Sequence, residues 1–299
     1  MNKKILNIIA LFISIYSFSQ DTINSINKEK EFNSFKIHRA YINIESFRKV
    51  HKRALTKIDS INFKIKGKDT LVLLTDKDQN KYVSVLFEYK DESFLKVYKS
   101  IAFKKNNTEK KSYQRYWKKP IQIYFSESIS KKRKKTFINF SNKITKGIDS
   151  LNVIFVNNLN DANFVIYQKG DFEYESNLKN LNNDYYIWWD NNIINRGFIK
   201  IDSEINLNDS LFDETLNKLF IKTLGHFEFT RLIDCSNYFS NCNTSIKKFS
   251  KLDYEILKYH YSYGICKGLD EEAFDEFHIK ANEHKKKFPD LPYKILHTN

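Results

Sequence analysis

The sequence predicts an α+β fold, a mixed sheet with helices packed on one side. Three observations predict it. Between residues 120 and 268 the hydrophobic period changes in the order strand, helix, four strands, helix, loop, helix. Two of these helical stretches carry their apolar residues on one face, as helices lying on a sheet must. Ahead of them, residues 35–103 form short alternating or β-branched runs broken by polar turns, a small β-rich N-terminal unit.

In that unit Ile61, Phe63 and Ile65 alternate with polar residues, as on a half-buried strand. Runs 70–74 and 82–89 are strands joined by the polar hairpin loop 75–81. Residues 94–103 form a further strand or a short helix. Residues 104–119 hold seven basic residues against Glu109 and read as a basic linker, a solvated tether.

The main fold opens with strand 121–125. Helix 130–148 follows, with Phe137, Phe140, Ile144 and Ile148 as its stripe. Its first turns carry Lys131, Lys132, Arg133, Lys134 and Lys135. Cations there oppose the helix dipole by tenths of a kcal/mol to about 1 kcal/mol each, and together they make a candidate anion-binding run. Runs 152–156 and 162–167 are strands about the turn 157–161. Run 185–189 is a strand with an aromatic face, read as core, with a stacking platform as the other reading. Run 193–201 is broken by Gly197. Asp209 or Ser210 caps the next helix, whose stripe is Leu216, Leu219, Phe220, Leu224 and Phe227. A last helix of this domain covers 252–261, and 269–299 is a polar helix or tail.

Lys3 and Lys4 precede an apolar run, 5–18, that is short of the roughly 20 residues a membrane span needs. Ser17-Phe18-Ser19 suits cleavage after Ser19. The expectation is therefore a signal peptide, 1–19, and a mature protein exported to the periplasm or beyond. Export favours a disulfide between Cys235 and Cys242, which enclose a short loop, with Cys266 left over. The formal charge of +14 reads first as a compositional bias, because Lys, Asn, Ile and Phe abound while Ala, Gly and Pro are scarce. Seven glycines leave no phosphate-cradling loop, and no G-x-S-x-G or supported cysteine suggests a nucleophile.

The element order of 120–268, the helix containing Leu224-Gly225-His226, and Thr244-Ser245-Ile246 before a final helix resemble the metzincin zinc endopeptidases, especially the matrixin-like group. In that family the helix reads H-E-x-x-H-x-x-G-x-x-H and is followed by a methionine-containing turn. Here Lys247 follows Ile246 in place of the methionine. Two registers are possible. In one, His226 is the second ligand, Lys222 replaces the first, Thr223 the glutamate base and Leu232 the third. In the other, Lys218, Lys222 and Glu228 fall at the ligand positions and Leu219 replaces the base. An ammonium at Lys222 repels a metal ion, and neither Thr223 nor Leu219 can take a proton from water. The chain is more similar to exported bacterial domains of zincin shape that keep the helix and lose the ligands.

The resemblance thus implies a zincin-like sheet packed on an active-site-type helix, with no catalytic residue and no cofactor. His226 reads as a partly buried helix residue on the shoulder of the stripe, beside Leu219. Glu228, two residues further along a helix, points away from it. If a metal binds, the candidate ligands are His226, His260 and Asp234. The function expected is that of an exported, catalytically silent zincin-like protein, an envelope binding or structural protein. Its partner would be an unknown protein or an anionic envelope polymer, with nucleic acid set aside. The alternatives are an active zinc-dependent peptidase with an irregular ligand set, and a basic module for anionic polymers.

Overall fold

The computed structural model describes residues 41–51, 54–61, 63–67, 69–73, 82–103, 111–202, 208–242, 247–290 and 292–298. The expected signal peptide, the hairpin loop 75–81 and the turn Thr244 to Ile246 lie outside them. The chain forms two units, Met1–Phe87 with Ile279–Asn299, and Glu88–His278.

The first unit is β-rich. β1 (Tyr41–Asn43), β2 (Lys64–Lys66) and β3 (Asp69–Leu73) make an antiparallel sheet in the order β1-β3-β2. Helices α1 (Ile44–His51) and α2 (Lys57–Ile61) accompany it, and Phe47 and Val72 are its buried centre. β4 (Tyr82–Leu86) pairs antiparallel with the C-terminal β11 (Lys294–Thr298). The alternation at 61–65 is not a buried strand face. Ile61 closes α2, and Ile61 and Ile65 are both 80% exposed.

The second unit holds the α+β fold. α3 (Glu92–Ala102) resolves the ambiguity of 94–103 as a helix: the Asp91 carboxylate accepts from Phe94 N, and Phe94, Tyr98 and Ile101 are buried. The sheet contains β5 (Tyr116–Trp117), β6 (Ile121–Phe125), β7 (Val153–Phe155), β8 (Phe164–Gln168), β9 (Asp184–Asp190) and β10 (Ile193–Ile201). Strands β7, β6, β8 and β10 run parallel to one another in that spatial order. β9 lies antiparallel on the other side of β10, and short β5 pairs with the first residues of β10.

Helix α4 (Lys131–Thr145) starts at Ser130, whose hydroxyl accepts from Arg133 N, and buries Phe137 and Ile144. It packs with α5 (Asp209–Thr223) against one face of the sheet, where Ile121, Ile123, Phe164, Ile166 and Ile199 join Phe212, Leu216 and Phe220 in one core. The opposite face carries a smaller aromatic cluster around Val165, Tyr167 and Leu178. α6 (Lys251–His260) begins with a capping box between Ser250 and Asp253, and the unit ends within α7 (Glu271–Lys287).

Two sequence expectations change here. Gly197 does not break its strand. A Cβ there would stand 2.5 Å from the Phe164 ring, so glycine lets that ring cross the middle of β10. The described part of the expected tether, 111–119, is only partly solvated: Lys111, Lys118 and Lys119 are exposed, but Gln114, Arg115 and Trp117 are buried, and the Trp117 indole donates to Thr223 O at 3.0 Å.

Candidate functional site

The site of interest lies at the C-terminal end of α5. The helix is capped by Asn208, whose side chain accepts from Leu211 N, and not by Asp209 or Ser210. It ends at Thr223. Leu224, Gly225 and His226 form a turn, and the Phe227 N–H donates to Lys222 O at 3.0 Å. His226 has φ +56°, the left-handed conformation of a helix stop. Glycine at 225 is required by crowding, since a Cβ would lie 2.3 Å from the Phe227 ring and 2.9 Å from His260 Nε2. His226 and Glu228 are therefore past the helix. The helical argument that pointed them apart does not apply to them.

Most of the motif positions are engaged within the fold. Lys218 pairs with Glu214 at 2.7 Å. The Lys222 amine lies 4.9 Å from the centre of the Phe229 ring. Thr223 is fully buried and its hydroxyl donates to Phe220 O at 2.6 Å. Leu219 belongs to the core, whereas Leu232 is half exposed. His226 rests among aromatics, its Nδ1 3.5 Å from the Tyr185 hydroxyl and its ring 5.4 Å from that of Trp189.

The alternative ligand set fares no better. The Asp234 carboxylate accepts from Ser236 N and Oγ, which hold its pKa below the ordinary value. His260 is buried, with Nε2 2.9 Å from Arg115 O and Nδ1 3.0 Å from the Tyr98 hydroxyl. Burial pulls its pKa down to about 3, so the ring is neutral. Both its nitrogens are engaged within the fold. No group of three or more His, Cys, Asp or Glu suited to a metal ion exists among the described residues. These residues do not fit a zinc site, which needs three convergent lone pairs and an open position.

What surrounds His226 is a different chemistry. The guanidinium carbon of buried Arg115 lies 4.0 Å from the centre of a Trp189 ring. Tyr185 has its pKa raised, by burial first and then by the charges of Glu228 and Asp184, with Arg115 acting in the opposite sense. Tyr185 and Trp189 share one face of β9 with buried Ile187. Arg115 was missed in the sequence because it sits in a lysine-rich run. The signal that could have found it is the aromatic company of Tyr113, Tyr116 and Trp117, unusual in a solvated tether.

The basic run is divided between faces of its helix: Lys131, Lys134 and Lys135 share one, and Lys132 and Arg133 lie off it. Lys132 and Arg133 both bond Asp209, Arg133 is buried against the Phe212 ring, and Lys131 and Lys135 are exposed. Cys235 and Cys242 are disulfide-bonded, and Cys266 is a buried thiol whose pKa is pushed up to about 12 by burial. No helix among the described residues is long and apolar enough to cross a membrane. No protein-family model matches the chain, and no curated protein matches it.

Proposed function

We propose that the protein is an exported zincin-like scaffold, silent as a peptidase, that acts by binding at the cell envelope. The carrying observation is the state of the helix end where a metallopeptidase of this element order would gather its ligands. Thr223 is sealed and bonded to its own helix, His226 is turned out into a left-handed stop, and His260 is locked between Tyr98 and Arg115. At the two positions where a glutamate base would stand the chain carries Thr223 or Leu219, neither of which can take a proton from water. The Cys235–Cys242 bridge suits an oxidising compartment and supports export. The anionic-polymer reading draws less support, because Asp209 engages two of the five cations in the basic run.

The test is cleavage of unfolded casein by purified protein, with added zinc and with a chelator. The expected outcome is no cleavage in either condition. Zinc-dependent cleavage that the chelator abolishes would overturn the reading in favour of an active peptidase.

A further inference from the structure

The sheet face that α4 and α5 leave open carries a cavity of about 420 Å³, walled by Tyr124 of β6 and by residues Asn157–Asp161. Small-ligand sites run from roughly 300 to 1,000 Å³. The second wall belongs to the crossover between β7 and β8, and that crossover is pinned across β6. Val156 N donates to Ile123 O at 3.0 Å, and Asn163 N to Gln122 O at 3.1 Å. The Asn163 side chain accepts from Gln122 N at 2.7 Å and donates to Pro120 O at 2.9 Å. The amides that line the cavity are not used in this way. Asn157, Asn158 and Asn160 are exposed, and the Asn158 amide donates to Asp161 at 3.3 Å. Among the described residues, the side chains of Asn157 and Asn160 have no hydrogen-bond partner. An amide both donates and accepts, and a carboxylate accepts, so together they match the two roles of a hydroxyl group. No lysine or arginine lines the cavity, so nothing in it complements an anion.

Aromatic rings continue from the cavity. Tyr124 and Tyr174 pack on the same small cluster, around Val165, Tyr167 and Leu178. The Tyr174 ring stands edge-on to Tyr167 at 5.1 Å and to Phe172 at 5.2 Å. Phe172 is 76% exposed, so its ring is presented to solvent. Burial first, then neighbouring Tyr124, Asp171 and Glu127, raises the Tyr174 pKa, and its hydroxyl stays protonated. The face of such a ring is electron-rich and attracts the positive ends of C–H bonds.

We propose that this cavity and its aromatic flank bind a neutral polysaccharide. A sugar ring has two chemically different aspects, hydroxyl groups around its edge and C–H bonds across its faces. The amides of the crossover bond the first, and the rings of Tyr124, Tyr174 and Phe172 stack on the second. The carboxylates of Asp161, Asp171 and Glu127 disfavour an anionic chain. Neither the α5 end nor the basic run takes part, so the inference does not rest on the zincin-like reading.

The experiment is affinity electrophoresis of the folded full chain through acidic native gels containing laminarin, mannan or xylan, with anionic alginate as the control. At least one neutral polysaccharide is expected to retard the wild type, to an extent that added salt leaves unchanged. Phe172→Ala should weaken that binding roughly 3- to 10-fold by removing a stacking ring. Asn160→Ala should weaken it by a similar factor, roughly 3- to 10-fold, by removing amide contacts. Both side chains are exposed, and if one variant fails to fold the other decides. No retardation by any of the three neutral polysaccharides overturns the proposal, as does equal retardation of wild type and both folded variants. Retardation by alginate alone, lost as salt rises, also overturns it and returns the binding to the protein's cations.

Discussion

A carbonyl oxygen can only accept, so the bond between His260 Nε2 and Arg115 O places the ring proton on Nε2. Nδ1 then accepts from the Tyr98 hydroxyl, which itself accepts from Gln114 Nε2 at 2.7 Å. Protonating His260 would turn Nδ1 into a donor facing a hydroxyl that donates to it. Because the folded pKa lies far below the ordinary value of 6.5, the unfolded chain binds this proton first. His260 therefore withdraws no stability above about pH 6.5, and its contribution is lost progressively as pH falls toward about 3, at no more than about 1.4 kcal/mol per pH unit. His278, also lowered by burial, adds to the same slope. Urea unfolding between pH 7.5 and 4.5 should show wild type losing stability faster than His260→Gln over this window. Parallel curves would contradict the assignment. The sequence offered His260 only as a possible ligand. Its real role depends on Tyr98 and Arg115, far away in sequence, and no local pattern reveals them. His226 was not legible as a stop, because the left-handed residue is the histidine itself, while Gly225 is there for the close approach of Phe227 and His260.

At the level of elements, long amphipathic runs were legible because burial writes a period into them. Helix α4 and strands β6 to β10 lie where the sequence placed them to within a few residues, and α5 does too except at its end, which comes at Thr223 and leaves Leu224 and Phe227 of the expected stripe beyond it. Short or locally ambiguous elements were not. β5 is two residues long and sits among lysines, so its only mark was an aromatic cluster. The cap of α5 was misplaced by one or two residues because Asn208, Asp209 and Ser210 are all good caps, and the bonds from Lys132 and Arg133 to Asp209 decide among them. Gly197 was read as a break when it is a packing requirement. Gly197→Ala should force a methyl group into the Phe164 ring, with the Trp117 ring 3.3 Å away on the same side. The expected cost is about 1–3 kcal/mol or more, read as a lower urea midpoint with unchanged slope. Unaltered stability would show that the Phe164 ring can move aside and that the strand does not depend on glycine.

For the whole molecule, the order of elements from β6 to α6 was legible, and with it the α+β class. The division of the chain was not. The C-terminal strand β11 returns to pair with β4, joining residues more than two hundred positions apart in the sequence. Such a pairing leaves no periodic trace, so 269–299 read as a polar helix or tail: the helix is there as α7, and the strand after it was not seen. The departures from the metzincin pattern were legible in the sequence, and the α5 end shows how the residues that stand there are held. A Zn²⁺ ion held tightly needs three deprotonated ligands around an open position. Here Lys222 sits on Phe229, Thr223 is sealed, Asp234 is bonded to Ser236, and His260 has both nitrogens engaged. The direct test is zinc stoichiometry of the full chain by elemental analysis, purified without chelator and again after zinc addition and desalting. The account predicts well under one zinc per chain in both preparations. One zinc per chain, lost on His226→Ala, would contradict it.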